Sequence, residues 1–234
     1  MLCAIGHAKS THGELGLKIL ITGFEPFGGE SLNPSWEAAR RLHGLHIEGA
    51  ELVAIQLPCV FSKSLTALEA ALKQHQPQAV LALGQADGRS DFSIERVAIN
   101  ICDARIPDNE GAQPVDVPVT EKGPAAYFST LPIKKITSHL KAQGFPAAVS
   151  QTAGTFVCNQ VFYGLQHMLR NTDVPSGFVH VPLLPQQVAV RSGASFASMS
   201  TETLLAAIQC AVAELVRHLK TGGTDSKIGM GANH

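Results

Sequence analysis

Apolar residues along the chain fall into two alternating kinds of run. Short continuous blocks occupy residues 17–22, 51–57, 79–84, 147–151 and 177–181. Runs this short, apolar on both faces, predict buried strands of a largely parallel sheet. Between them, apolar positions recur every third or fourth residue over 35–42, 62–74, 132–143, 157–169 and 201–220. That spacing predicts amphipathic helices packed on the sheet. Asn33 followed by Pro34 opens the first helix as N-cap and first helical residue, and Ser62 and Thr155 are the expected caps of the second and fourth. Residues 93–101 alternate instead, with Glu95, Val97, Ile99 and Ile101 on one face and Arg96, Ala98 and Asn100 on the other. The order of elements predicts one α/β domain over residues 17–220, a three-layer α/β/α sandwich around a mostly parallel mixed sheet. Residues 1–16 read as an irregular extension and 221–234 as a flexible, glycine-rich tail. The stretch 103–122 reads as a long loop of the kind that serves function.

Composition narrows the class. The chain has 234 residues, 45% hydrophobic and 16% charged, and a net charge of −1. It is therefore expected to be globular, with no electrostatic case for nucleic acid or an anionic membrane. No apolar run approaches the roughly 18 residues of a membrane span, and no secretory leader is legible. The five cysteines are widely spaced and include no C-x-x-C, which suits a reducing cytoplasm better than a disulfide framework or zinc site. His43 and His46 alone have a metal-like spacing, and they read as a solvated pair. Neither metal nor cofactor is expected.

Candidate chemistry lies at the ends of the strands. Residues 23–29 (Gly-Phe-Glu-Pro-Phe-Gly-Gly) join a strand to a helix, yet lack the lysine and glycine spacing of a phosphate loop. Phe24 and Phe27 suit an apolar ligand wall, or else plug the core. Gln85 stands at the carboxyl end of a central strand, where open α/β sheets keep their ligands. Glu95 heads an apolar face and needs either an ion-pair partner or a group to orient. Cys158 falls at a helix start, where unpaired N–H groups favour a thiolate; a buried, inert thiol is the other reading. His180 lies between valines in a strand and reads as a core residue or as a base.

These signals coincide in one family. The blocks I-T-G-F-E-P-F-G-G with N-P-S-W, G-Q-A-D-G-R, I-E-R-V-A-I-N-I, D-A-R-I-P-D-N, T-A-G-T-F-V-C-N and H-V-P-L-L-P occur in that order between residues 21 and 185. Over roughly residues 18–220 the chain closely resembles the pyroglutamyl peptidase I family, the pyrrolidone-carboxylate cysteine peptidases. The resemblance implies a Cys158 nucleophile, a His180 base and a Glu95 third member. Phe24, Phe27, Gln85, Ile106, Phe156 and Val157 match the substrate pocket. Arg105 matches an arginine thought to assist the oxyanion, the alternative being a salt bridge within its own loop. The implied substrates are peptides with an N-terminal pyroglutamate, and the implied assembly is a homodimer or homotetramer in the cytoplasm. Gln151 stands where many members have asparagine, and Asp87 where glycine is common. Two further readings remain: a broader amidase of the same chemistry, and a non-catalytic binder on this phosphorylase- or hydrolase-like sandwich.

Overall fold

The structure, a computed structural model, describes residues 16–193 and 196–232. Nine strands and six helices follow one another along these residues. The strands are β1 (Lys18–Phe24), β2 (His46–Ile47), β3 (Ala50–Leu57), β4 (Ala79–Gln85), β5 (Phe92–Glu95), β6 (Val97–Ile99), β7 (Ala126–Phe128), β8 (Ala147–Ser150) and β9 (Ser176–Val181). The helices are α1 (Pro34–Leu42), α2 (Phe61–His75), α3 (Ile133–Ala142), α4 (Val157–Leu169), α5 (Pro185–Ala189) and α6 (Thr201–Thr221). Seven strands form one sheet in the order β2-β3-β1-β4-β9-β5-β8, and β6 pairs with β7 apart from it. The β3-β1-β4-β9 block is parallel; β5 runs antiparallel to β9 and parallel to β8, so the sheet is mixed as expected.

Alternation along β1 explains the layers. Ile19 and Ile21 face a core closed by α1, α3 and α6, whereas Leu20 and Phe24 face a second core closed by α2 and α4. Both faces are buried, which is why these strands carry apolar runs rather than alternation. A fully buried Leu or Ile contributes about 1.5–3 kcal/mol, so two such cores easily outweigh the few polar groups between them.

Two local expectations are corrected. The residues 93–101 do not form one strand: the chain leaves the main sheet at Arg96, whose N–H still bonds Ser150 O at 2.9 Å, and β6 then pairs with β7. Phe92 and Ile94 are the apolar side of β5, and Glu95 shares the other side with Ser93. Helix α2 begins at Phe61 and takes no cap from Ser62. The long loop supplies it instead, Asp108 Oδ2 accepting from Phe61 N at 2.8 Å. Burial alone would raise that carboxyl, but N–H groups of Phe61, Ala112, Glu110 and Gly111 hold it below the ordinary aspartate value. Asn109 pins the same loop to Glu25 and Pro26. The tail, read from the sequence as flexible, makes hydrogen bonds to the domain. Asp225 accepts from the N–H groups of Lys134 and Lys135 at the start of α3, both at 2.9 Å, and Met230 O accepts from Arg96. The extension expected at residues 1–16 lies, except for Gly16, outside the described residues.

Candidate active site

The turn before α4 determines where the thiol sits. Gly154 takes the left-handed backbone (φ +74°) that glycine tolerates without strain. Thr155 Oγ1 donates to Asp103 O at 2.7 Å, and Asp103 N donates back to Thr155 O at 3.0 Å. The hydroxyl turns toward the long loop, and the helix N-cap falls one residue later. Phe156 is the N-cap, without a side-chain bond, and Cys158 is the second residue of α4. The two amides that follow lock this helix start in place. Asn159 Oδ1 accepts from Ile99 N, and its Nδ2 donates to the carbonyls of Ile99 and Ile101, at 2.9–3.0 Å. Gln160 accepts from Ser64 Oγ and donates to Phe61 O, both at 3.0 Å. Sequence reasoning passed over both residues. The available signal was two consecutive amides in an otherwise apolar helical turn, which must find partners once buried.

Cys158 is half-buried. Burial pushes its thiol well above the ordinary cysteine value, and the neighbouring Cys59 and Glu95 push it the same way. Only its own backbone N–H acts against them. The thiolate expected from the helix start alone is therefore outweighed by desolvation, and the resting thiol keeps its proton. Chemistry at this sulfur requires a base.

The sheet brings that base alongside. In the β4–β9 register Gly84 lies opposite His180, and in β5–β9 Ser93 lies opposite His180, so Glu95 is its diagonal neighbour on the same face. A Cβ at Gly84 would lie 2.9 Å from Cys158 Sγ and 2.6 Å from Phe178 Cζ, so the sulfur sits over the strand position beside His180. His180 Nδ1 is 2.7 Å from Glu95 Oε1, with the two residues 5% and 0% exposed. A carboxylate can only accept, so Nδ1 carries the proton and Nε2 is left as the basic nitrogen. Arg89 Nη2 lies 3.7 Å from Glu95 Oε1 and also donates to Ser150 Oγ at 3.0 Å and Thr152 O at 3.3 Å. Its positive charge offsets a buried carboxylate that the imidazole alone would neutralise only when protonated. Arg89 closes the G-Q-A-D-G-R block, and its role was the part of that block left unread.

Gly84→Ala is expected to fail at this crossing. The methyl group must displace either Phe178 or the sulfur, costing about 1–3 kcal/mol of stability and, through misplacement of the reacting atom, about 100-fold in kcat. Thermal melts alongside initial rates check both; unchanged kcat would place the reactive sulfur elsewhere.

A cavity of about 260 Å³ opens at the carboxyl end of β4, one residue beyond Gly84, lined by Phe27, Gly28, Glu30, Gln85, Asp87, Arg105, Ile106 and Arg191. Of the residues matched to a pocket, Phe27, Gln85 and Ile106 line it. Phe156 packs on Phe27 (centroids 6.1 Å) and edge-on to Phe61 (5.2 Å), extending the aromatic wall. Phe24 and Val157 are buried in the core: Phe24 packs on Phe178 at 6.3 Å, and Phe178 in turn on His180 at 5.0 Å. Arg105 is exposed on the cavity rim and makes no ion pair among the described residues, so the salt bridge within its own loop is not formed.

The family model described as pyroglutamyl peptidase matches residues 17–218. The chain belongs to the pyroglutamyl peptidase family. A pyrrolidone-carboxylate peptidase of Klebsiella pneumoniae is 54% identical over 217 residues, covering 92% of this chain and 99% of that protein. The crystal structure of pyroglutamyl peptidase I from Bacillus amyloliquefaciens superposes with a TM-score of 0.86 at 46% identity, covering 92% of this chain and all of that one. Pyrrolidone carboxyl peptidase from Thermococcus litoralis superposes at 0.88 with 38% identity, over 91% and 99% of the two chains.

Within a pyroglutamyl peptidase, both departures noted in the sequence have local partners. Arg191 bonds Asp87 Oδ2 at 2.6 Å and Glu30 Oε1 at 2.8 Å, so the charge that Asp87 brings near Gln85 is paired at the rim with a guanidinium it shares with Glu30. Gln151 Oε1 accepts from Arg96 Nε at 2.9 Å, at the point where the chain leaves the main sheet. His43, half of the metal-like pair, uses Nδ1 to accept from Ala54 N.

Proposed function

We propose that Cys158, His180 and Glu95 catalyse hydrolysis of the amide bond that follows an N-terminal pyroglutamyl residue. The chain is a cysteine-type omega-peptidase, and the observation that carries this assignment of roles is the buried Glu95–His180 hydrogen bond beside the Cys158 sulfur. With Nδ1–H donated to Glu95, Nε2 of His180 takes the thiol proton as the sulfur attacks the carbonyl carbon. The amide nitrogen leaves with that proton as the C–N bond breaks, giving a thioester. Water, deprotonated by the same Nε2, then cleaves the C–S bond and returns the proton to sulfur. The unpaired N–H groups at the start of α4, with Arg105 on the rim, are the proposed partners of the oxyanion. Phe27, Phe156 and Ile106 offer apolar walls to an uncharged lactam ring, Phe24 and Val157 back them from the core, and Gln85 offers an amide. We read residues 17–220 as the working unit, a cytoplasmic homodimer or homotetramer. No helix among the described residues is long and apolar enough to cross a membrane.

A panel of arylamides tests the reading. kcat/KM for the pyroglutamyl compound is expected to exceed that for the prolyl and alanyl analogues by at least about 1,000-fold, because a pocket amide left without its lactam partner costs more than a size mismatch. Equal rates on the prolyl compound would overturn it.

A further inference from the structure

We propose that Gln187 is a positioning residue that fixes which end of the Gln85 amide faces the substrate, and so makes the site select a ring carbonyl at that point. The inference rests on the pyroglutamyl reading for its substrate but takes its direction from a chain of hydrogen bonds. That chain starts at a group whose polarity is fixed. Leu184 N–H can only donate, and it donates to Gln187 Oε1 at 3.0 Å. Turning the Gln187 amide over would set its NH2 against that N–H, so Nε2 must point the other way. There it donates to Gln85 Oε1 at 3.1 Å. Turning Gln85 over would oppose two NH2 groups in the same manner. The Gln85 oxygen is therefore turned toward Gln187, and its Nε2 is the end of the amide turned the other way, toward the cavity that Gln85 lines with Phe27 and Ile106.

The relay is built rather than incidental. Gln187 is buried, 3% exposed, in the short helix α5, and its own N–H bonds Leu184 O at 3.0 Å. Gln85 is held at the other end, opposite Val181 in the β4–β9 register, with Ala86 N bonded to Val181 O at 3.0 Å. A donor fixed in this way donates to a lactam oxygen and gives nothing to a ring that lacks one. Discrimination against prolyl substrates then comes from Gln85 facing inward as a donor, which Gln187 enforces from outside the cavity lining.

Two substitutions separate orientation from support. In Gln187→Glu one carboxylate oxygen still accepts from Leu184 N–H, while the other faces Gln85 and draws its NH2 away from the cavity. In Gln187→Met the length is kept but both bonds go, and the Gln85 amide is free to sit either way. Binding of 2-pyrrolidone, measured by calorimetry, is expected to weaken at least about tenfold in Gln187→Glu and about threefold in Gln187→Met, in line with one hydrogen bond lost or inverted. KM for a pyroglutamyl arylamide should rise in the same order, with kcat within about threefold of wild type. A supporting role alone reverses the order, since Gln187→Glu keeps the Leu184 bond and Gln187→Met loses it; that order, or unchanged binding in Gln187→Glu, overturns the proposal. Melting temperatures of both variants confirm that folded protein is compared. Wild-type protein that binds 2-pyrrolidone with this dependence yet does not cleave the arylamide would sink the peptidase reading and leave the relay standing.

Discussion

Cys158→Ala is expected to lower kcat on a pyroglutamyl arylamide by at least about 10,000-fold, because removing a nucleophile leaves only the binding site and its dipoles. The fold should tolerate the change. Asn159 and Gln160 hold the start of α4 through bonds that do not involve the sulfur. Cys158→Ser should be nearly as inactive: a hydroxyl holds its proton more tightly than a thiol, and burial already opposes ionisation here. Burial likewise raises the other buried thiols, Cys59 to about 12 and Cys102 to about 11, so neither is a preformed thiolate. Iodoacetamide should inactivate the wild type, and excess 2-pyrrolidone should slow the loss. The pH dependence follows from the direction of the shift. A thiol held above its ordinary 9.0 is protonated in the resting enzyme, so the alkylation rate should keep rising as pH passes through 9. A rate that levels off below pH 7 would indicate a preformed thiolate, and activity within tenfold in Cys158→Ala would indicate a different nucleophile.

How far the sequence anticipated this arrangement depended on whether the signal was local. Strand blocks such as residues 79–84 and 177–181 were legible because burial on both faces leaves a continuous apolar run, and structure extends each by one residue at one end. The cap at Asn33 was legible because its partner, Ser35 N, is two residues away. The cap of α2 was not, because Asp108 reaches Phe61 from 47 positions along the chain. Thr155 failed for the same reason, its hydroxyl being drawn to Asp103 O. Alternation over 93–101 continued past Arg96 in sequence, but the chain changes sheets there, which no periodicity can register. Glu95, Cys158 and His180 were each ambiguous alone. Family resemblance joined them, and sheet register explains the join: Gly84 and Ser93 flank His180 on neighbouring strands. Gln187, Arg89 and Asn159 remained unread because their partners are distant and their residue types are common on surfaces.

Glu95→Gln carries the second large effect. The substitution keeps size and shape, yet it removes the one partner that can only accept. An amide can turn its NH2 toward His180 Nδ1, which then becomes the acceptor and sends the ring proton to Nε2, the nitrogen that must receive the thiol proton. kcat should fall about 100- to 10,000-fold, the range set by losing the correct tautomer and the charge that stabilises the imidazolium. KM should stay within about threefold, because Glu95 is fully buried and lines no part of the cavity. Stability should fall less than in Glu95→Ala, where His180 loses its partner altogether and Arg89, 3.7 Å away, faces an empty site; breaking a buried pair in that way costs about 3–5 kcal/mol. The two variants thus separate structure from chemistry. If Glu95 only braces the sheet, Glu95→Gln should melt near wild type and retain its kcat. If it orients the base, kcat collapses while the melt barely moves, and that is the expected result.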